Sequence, residues 1–267
     1  MVTNRLLTIE EAAQFLNVSK TSLRRWTRLG SLPCVRVGAR RERRFQQEDL
    51  ERLLNPDVLP LPRSPAASDR SIDPIAVLDE AAARGVARHV SLHHHDRDEL
   101  WRLFRPYVLA HLERGAPMLY IHEDGARADV VARLAGEGFD AAALTARGLL
   151  RLLVPTDAYL RTGRFSAPRM IDFMESAILD LRALGHEAIL VSGEMTWYLS
   201  GAEGVTEMIP YEAALNDLLR RYPDVTIVCH YDMTRLPGNV NLGAICAHTH
   251  VQLPDRIVAG FYRDGSS

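Results

Sequence analysis

From residue 75 onward, short apolar runs alternate with longer amphipathic stretches, and this alternation narrows the possible folds more than any other feature. Runs 86–92, 117–122, 149–154, 188–192 and 225–229 have the length and composition of buried strands. Between them, 96–114, 127–137, 167–184 and a segment within 206–222 carry apolar residues at helical spacing, with Ser166 and Gly185 as start and stop of the third. A last helix-like segment leads to 256–262. Strands alternating with helices predict an α/β domain with a mainly parallel sheet and helices on both faces. Such a sheet gathers the carboxyl ends of its strands at one edge, where ligands normally sit. The polar residues fall just past the predicted strand ends: His93, His94 and His95, then His122, Glu123 and Asp124, Asp157, Glu194, His230 and Asp232. A crevice lined by imidazoles and carboxylates is expected there.

A nucleotide-hydrolysing site of the P-loop type is not expected. That site needs G-x-x-x-x-G-K-[ST] between strand and helix, so that backbone amides and a lysine hold the phosphates. After the first strand the chain reads HHHDRDEL instead, and its only lysine is Lys20.

Residues 1–55 are of a different kind. They carry 11 Lys/Arg against 6 Asp/Glu, so this segment is at +5 and the remainder of a chain of net charge −2 is at −7. A basic head on an acidic body meets a polyanion through the head alone. Thr8 and Glu11 form a capping box for a helix over 9–17, with Ala12, Ala13, Phe15 and Leu16 on its apolar face. Ser19 caps a second helix over 20–29, ended by Gly30. Leu23 and Trp26 point inward; Thr21, Arg24, Arg25 and Arg28 take the other surface. A hairpin-like stretch follows over 32–45, turning at Gly38, and a short helix over 47–54 closes the core. Two short helices joined by a tight turn read as a helix-turn-helix. Ser19, Lys20, Thr21, Arg24, Arg25 and Arg28 on its second helix suit bases and phosphates in the major groove. Arg36, Arg40, Arg41, Arg43 and Arg44 on the wing suit phosphates and the minor groove. The alternative is a basic patch with no nucleic-acid partner.

Five prolines between 55 and 74 predict a partly stiff tether. The organisation is therefore a DNA-binding domain over 1–55, a linker over 56–71 and an α/β domain over 72–267. No apolar run reaches the roughly 20 residues needed to cross a bilayer, and the N-terminus lacks the apolar core of a signal peptide. The cytoplasm is the expected location, and Cys34, Cys229 and Cys246 are expected to be reduced.

The segment TIEEAAQFLNVSKTSLRRWTRLGSLPCVRVGARRERRFQQEDLERLL resembles the excisionase-like and MerR-like winged helix-turn-helix modules. The telling pieces are SKTSLRRW, the G-x-LP after it, and RRF-x-x-x-DL. MerR-like proteins commonly pair through a long coiled coil, and no sustained heptad follows the head here. In the body, RHVSLHHHD, ERG, LYIHED, RLLVPTDAYLRTGRF, SGEMTW, PYEAALNDLL, VCHYDMTRLPG and THVQ resemble the MEDS domain, the methanogen/methylotroph DcmR sensory domain, over about 72–263. The resemblance implies a RecA-like α/β fold without a P-loop that senses small organic compounds, one-carbon derivatives among them. It places the family's recurring residues at His89, Glu194, Trp197, Tyr211, Cys229, Tyr231, Asp232 and His250. The first strand departs from the family pattern, with histidines in place of aromatic residues.

With His94 from the strand-edge argument, those eight residues are the candidate ligand contacts. Each has a plainer alternative: Glu194 orders a loop, Trp197 fills core, and Cys229 is a small buried residue. Cys229, His230, Cys246, His248 and His250 offer metal ligands beside the histidine triplet, but their spacing matches no common zinc motif, so no metal and no cofactor is assigned. A Cys/His/Asp set lacks any recognised catalytic spacing, so no enzyme is expected. The expected function is a DNA-binding transcriptional regulator, dimeric on double-stranded DNA and responsive to a small-molecule ligand. The alternatives are an architectural protein of excisionase type and an enzyme delivered to DNA.

Overall fold

A computed structural model describes residues 6–16, 18–20, 23, 24, 27, 32, 34–37, 42–47, 50, 73–254, 256–260 and 262. The chain divides into two compact units, 1–70 and 71–267. The segment read as the linker, 56–71, lies outside the described residues, as do Gly38 and most of the helix expected over 47–54.

In the first unit, helix α1 (Ile9–Phe15) starts at the expected capping box. Thr8 Oγ1 accepts from the Glu11 amide at 3.1 Å, and the Thr8 amide donates to Glu11 Oε2 at 2.8 Å. Strands β1 (Leu6–Leu7), β2 (Val35–Val37) and β3 (Glu42–Gln46) form an antiparallel sheet in the order β1-β3-β2. Ala12, Leu16, Leu23, Leu32, Phe45 and Leu50 are the buried centre of this unit. Residues 20, 23, 24 and 27 are helical, and the Leu23 amide donates to the Ser19 carbonyl at 3.2 Å. These placements agree with a second helix beginning at Ser19.

The second unit is built on seven strands: β4 (His89–His94), β5 (Met118–Ile121), β6 (Leu150–Leu153), β7 (Ile189–Glu194), β8 (Val225–Asp232), β9 (His250–Gln252) and β10 (Ile257–Ala259). Their order is β10-β9-β4-β8-β7-β5-β6, parallel throughout except for the β9/β10 pair. The mainly parallel α/β expectation holds. Helices α2 (Pro74–Ala82), α3 (Arg97–Leu112), α4 (Arg127–Gly136) and α5 (Ala141–Ala146) cover one face, over Val90, Leu92, Met118, Leu190 and Val228. Helices α6 (Ala167–Ala183), α7 (Met208–Arg221) and α8 (Gly238–Ala247) cover the other, over Leu119, Val191, Ile227 and Tyr231.

Two strands run further than their hydropathy indicates. The sequence ends the first at 92 and the last at 229, where polar side chains begin. The ladder continues, pairing His93 with Tyr231 and His94 with Asp232. Backbone pairing decides where a strand stops, and these polar side chains are buried instead of marking a loop. The helix-like segment before 256 is α8, and 257–259 is the antiparallel edge strand β10.

Candidate functional site

The first unit presents one concave surface to which both its halves contribute. Arg24, on a helical position, and Arg36, Arg43 and Arg44 of the hairpin line it together with Thr8, Glu10 and Glu42. Arg36 stands opposite Arg43 across the β2/β3 ladder. Arg44 is steered by Glu42, 2.9 Å away, and Lys20 meets Glu10 at 3.1 Å on the exposed side. Surface pairs of this kind contribute little stability. Of the residues assigned to DNA, Ser19, Lys20, Arg24, Arg36, Arg43 and Arg44 are described; Thr21, Arg25, Arg28, Arg40 and Arg41 lie outside the described residues.

In the second unit the pleat sorts the candidate residues into two groups, because successive side chains of a strand point to opposite faces. On the α3 side stand His94, Glu194, His230 and Asp232. Glu194 Oε1 accepts from the Tyr120 hydroxyl at 2.6 Å, and Oε2 accepts from Arg97 Nη1 at 2.6 Å. Arg97 continues to Asp129 at 3.3 Å, and Arg133 meets the same carboxylate at 2.9 Å. Burial alone would lower the Arg97 pKa; the Glu194 charge overrides it and keeps the guanidinium protonated. Burial, and then the Glu194 charge, push the Tyr120 hydroxyl well above its ordinary value. Asp232 Oδ1 accepts from the Thr234 amide and hydroxyl and the Arg235 amide, so it orders the turn after β8. His94 Nδ1 lies 3.1 Å from the Asp96 carbonyl oxygen. The connections leaving β4 and β8, neighbours in the sheet, pass to opposite faces through α3 and α8. That is the topological switch at which open parallel sheets form a ligand crevice.

On the opposite face, His89 and Cys229 meet Glu212, which the sequence reading did not name, and His248, which it named only among possible metal ligands. Glu212 of α7 puts Oε2 3.2 Å from His89 Nε2, 3.2 Å from His248 Nε2 and 3.3 Å from Cys229 Sγ. All four residues are buried. Burial, then the neighbouring His248, lower the His89 pKa to about 4, so the ring is neutral near pH 7. Burial and the Glu212 carboxylate push the Cys229 thiol well up. A metal-free Cys229 is thus a protonated thiol and a poor redox nucleophile. Among the described residues, this quartet is the one group of three or more His, Cys, Asp or Glu whose ligand atoms converge.

Trp197 and Tyr211 belong to neither group. They form an aromatic box with Tyr159 and Phe165: Trp197 stacks on Tyr159 at 4.7 Å and meets Phe165 at 4.5 Å, and Tyr211 is edge-on to both Tyr159 and Phe165. Tyr231 stacks on His93 at 5.3 Å and is edge-on to His248. His250 lies on β9, its Nδ1 3.0 Å from the Thr249 hydroxyl.

Glu212 was missed although its signal is local. It occupies the apolar stripe of α7, between Met208 and Leu215 and beside Tyr211, where a carboxylate without a partner is costly. Asn216, one turn further on, shares that stripe. Arg97, Asp129 and Tyr120 carry no such signal, since a charged first turn and a strand tyrosine are ordinary.

A basic winged module joined to an α/β unit with a polar carboxyl edge and no phosphate loop defines a class: a helix-turn-helix protein with an appended sensory domain. The chain belongs to the family described as MEDS, MEthanogen/methylotroph, DcmR Sensory domain, whose model matches residues 88–249. Residues 6–56 match the model of a helix-turn-helix domain. The chain is similar to the transcriptional repressor DcmR of Methylorubrum extorquens (strain DSM 6343 / CIP 106787 / DM4), at 30% identity over 254 residues, covering 91% of this chain and 89% of that protein. A KaiC-like protein from the archaeon Pyrococcus horikoshii OT3 aligns with 62% of this chain and 70% of its own, at 11% identity and a TM-score of 0.43.

Proposed function

We propose that the chain is a DNA-binding transcriptional repressor whose body binds a small organic ligand at the carboxyl edge, beside Arg97 and Glu194. The observation that carries the reading is the Tyr120–Glu194–Arg97–Asp129 chain at the β4/β8 switch. It places a buried carboxylate and a half-buried guanidinium where a polar ligand must compete for one of them. A ligand that binds two arrangements of this network unequally shifts the protein between them. The repressing sense follows the activity named for the DcmR relative. The domains run 1–55, 56–71 and 72–267, the head is of the excisionase-like and MerR-like kind, and the regulator works in the cytoplasm on double-stranded DNA. It is a homodimer, since one small head reads a short site and paired half-sites add affinity. The second unit has no catalytic role.

The test is selection of binding sites from random duplex DNA by the full-length protein, followed by anisotropy titration with and without one-carbon and other small organic compounds. Specific binding at least 1,000-fold tighter than to random duplex, on the order expected of specific regulators, supports the reading. So does a compound that weakens it in the wild type and not in Glu194→Gln. Arg24→Ala and Arg43→Ala should each weaken binding and reduce its salt slope by about 1. Equal affinity for every duplex overturns the regulator reading. A ligand response unchanged in Glu194→Gln overturns the placement of the ligand beside Glu194.

A further inference from the structure

The quartet beneath α7 has the geometry of a metal site, and its outer partners fix the protonation pattern that such a site requires. Asn216 Nδ2 donates to the carbonyls of Ala213 (3.1 Å) and Ala247 (2.8 Å), so its Oδ1 must accept from His89 Nδ1 at 3.1 Å. His248 Nδ1 donates to the Ala244 carbonyl at 2.7 Å. Both rings therefore carry a proton on Nδ1, which leaves Nε2 as the nitrogen directed at Glu212 and the one available to an ion. His248 Nε2 is buried and makes no aligned hydrogen bond despite its 3.2 Å approach to the carboxylate. Two imidazole nitrogens and a carboxylate oxygen thus face one another, and the Cys229 sulfur sits 3.3 Å from that oxygen and 3.7 Å from His89 Nε2.

We propose that His89 Nε2, His248 Nε2, Glu212 Oε2 and Cys229 Sγ bind one zinc-class divalent ion in a closed tetrahedral site. Zinc bonds of about 2.0–2.1 Å to nitrogen or oxygen and about 2.3 Å to sulfur give tetrahedral edges of roughly 3.3–3.6 Å. Four of the six separations are 3.2, 3.2, 3.3 and 3.7 Å, and all six lie within 4.8 Å, so the ligands close by at most about an ångström on the ion. Charge agrees as well. A carboxylate and a thiolate neutralise a dication, so the buried centre carries no net charge, and the thiol proton leaves to solvent as the ion binds. A sulfur ligand with two imidazoles selects zinc or a similar thiophilic ion over magnesium or calcium. Because none of the four residues is more than 3% exposed, the site is structural in kind, with no position open to a substrate. It fastens α7 and the turn from α8 to β9 onto β4 and β8. Asn216 is a positioning residue for His89.

The experiment is metal analysis of the full-length protein, purified without a metal-affinity tag, followed by reconstitution of the stripped protein with cobalt. About one zinc-class ion per chain is expected, with the visible bands of tetrahedral cobalt and a near-ultraviolet sulfur-to-cobalt charge-transfer band. Cys229→Ser should abolish the charge-transfer band, and Asn216→Ala should weaken metal binding by about 10- to 100-fold. His186→Gln, outside the quartet, should bind as the wild type does. Folded wild-type protein that neither retains an ion nor develops the cobalt spectrum overturns the proposal, and this result needs no variant. A charge-transfer band that survives in Cys229→Ser also overturns it.

Discussion

Replacing Gly193 by alanine tests whether the aromatic box is packed core or the wall of a ligand cavity. A Cβ at Gly193 would stand 2.0 Å from the Tyr159 hydroxyl oxygen and 3.2 Å from Cζ. That oxygen would have to retreat by about 1.4 Å to reach ordinary van der Waals contact. Its ring is held by stacking on Trp197 at 4.7 Å, with Tyr211 edge-on, and its hydroxyl makes only a weak 3.7 Å contact with Met195 Sδ. Overpacking a site so enclosed costs about 1–3 kcal/mol. In a unit of this size each kcal/mol moves Tm by roughly 2–4 °C, so Gly193→Ala should lower Tm by roughly 2–12 °C. Tyr159→Phe removes the clashing oxygen and should by itself cost less than about 1 kcal/mol. In the double variant the nearest atom becomes Cζ, which needs to give only a few tenths of an ångström. The two substitutions should therefore couple favourably, by about 1 kcal/mol or more. Urea unfolding of the full-length protein, followed by circular dichroism, measures all four corners of the cycle. A Gly193→Ala protein within about 0.5 kcal/mol of wild type would refute the reasoning. The ring would then have room to move, and Trp197 and Tyr211 would return as cavity wall.

Three further outcomes follow from other contacts. Tyr120→Phe leaves Glu194 Oε1 without its 2.6 Å donor and should cost about 1–3 kcal/mol, measured by the same unfolding assay. Thr8→Ala removes the capping box of α1 and should destabilise the first unit by about 1 kcal/mol, leaving the second unit's transition unchanged. Burial lowers the pKa of His111, which donates Nδ1–H to the Tyr107 carbonyl. The unfolded chain therefore binds the extra proton first, and this contribution to stability is lost as pH falls from about 6.5 toward the depressed folded value. His111→Leu should flatten the acid limb of the stability profile; an unaltered limb would show that this histidine does not report the folding equilibrium.

The legible parts of the molecule were those written in consecutive residues. T-x-x-E at Thr8–Glu11 closes its capping box within one turn, and each of the five body strands read from the sequence centres on a run of apolar residues, whereas β9, His250–Gln252, has no such run. The alternation of those runs with helical stretches was enough to require the parallel sheet. What escaped was long-range. His89, Glu212, Cys229 and His248 come from four separate elements, and no spacing motif joins them. Strand ends were misjudged for a related reason: His93, His94, Tyr231 and Asp232 look like loop residues until partners across the sheet account for their burial. The crevice reading then merged two sets of residues that the pleat keeps apart.

That separation also limits how chains of this kind can diverge. Along β8, Cys229 and Tyr231 serve one face while His230 and Asp232 serve the other; along β4, His89 and His93 are likewise divided from His94. Inserting or deleting a single residue within β8 would exchange its two sets, presenting the thiol to the Arg97 and Glu194 side, and the same change within β4 would turn His89 away from Glu212. Both centres would fail together. Sequence drift in β4 and β8 must therefore proceed by substitution at fixed length, and variation in length among relatives should be confined to the connections outside the sheet.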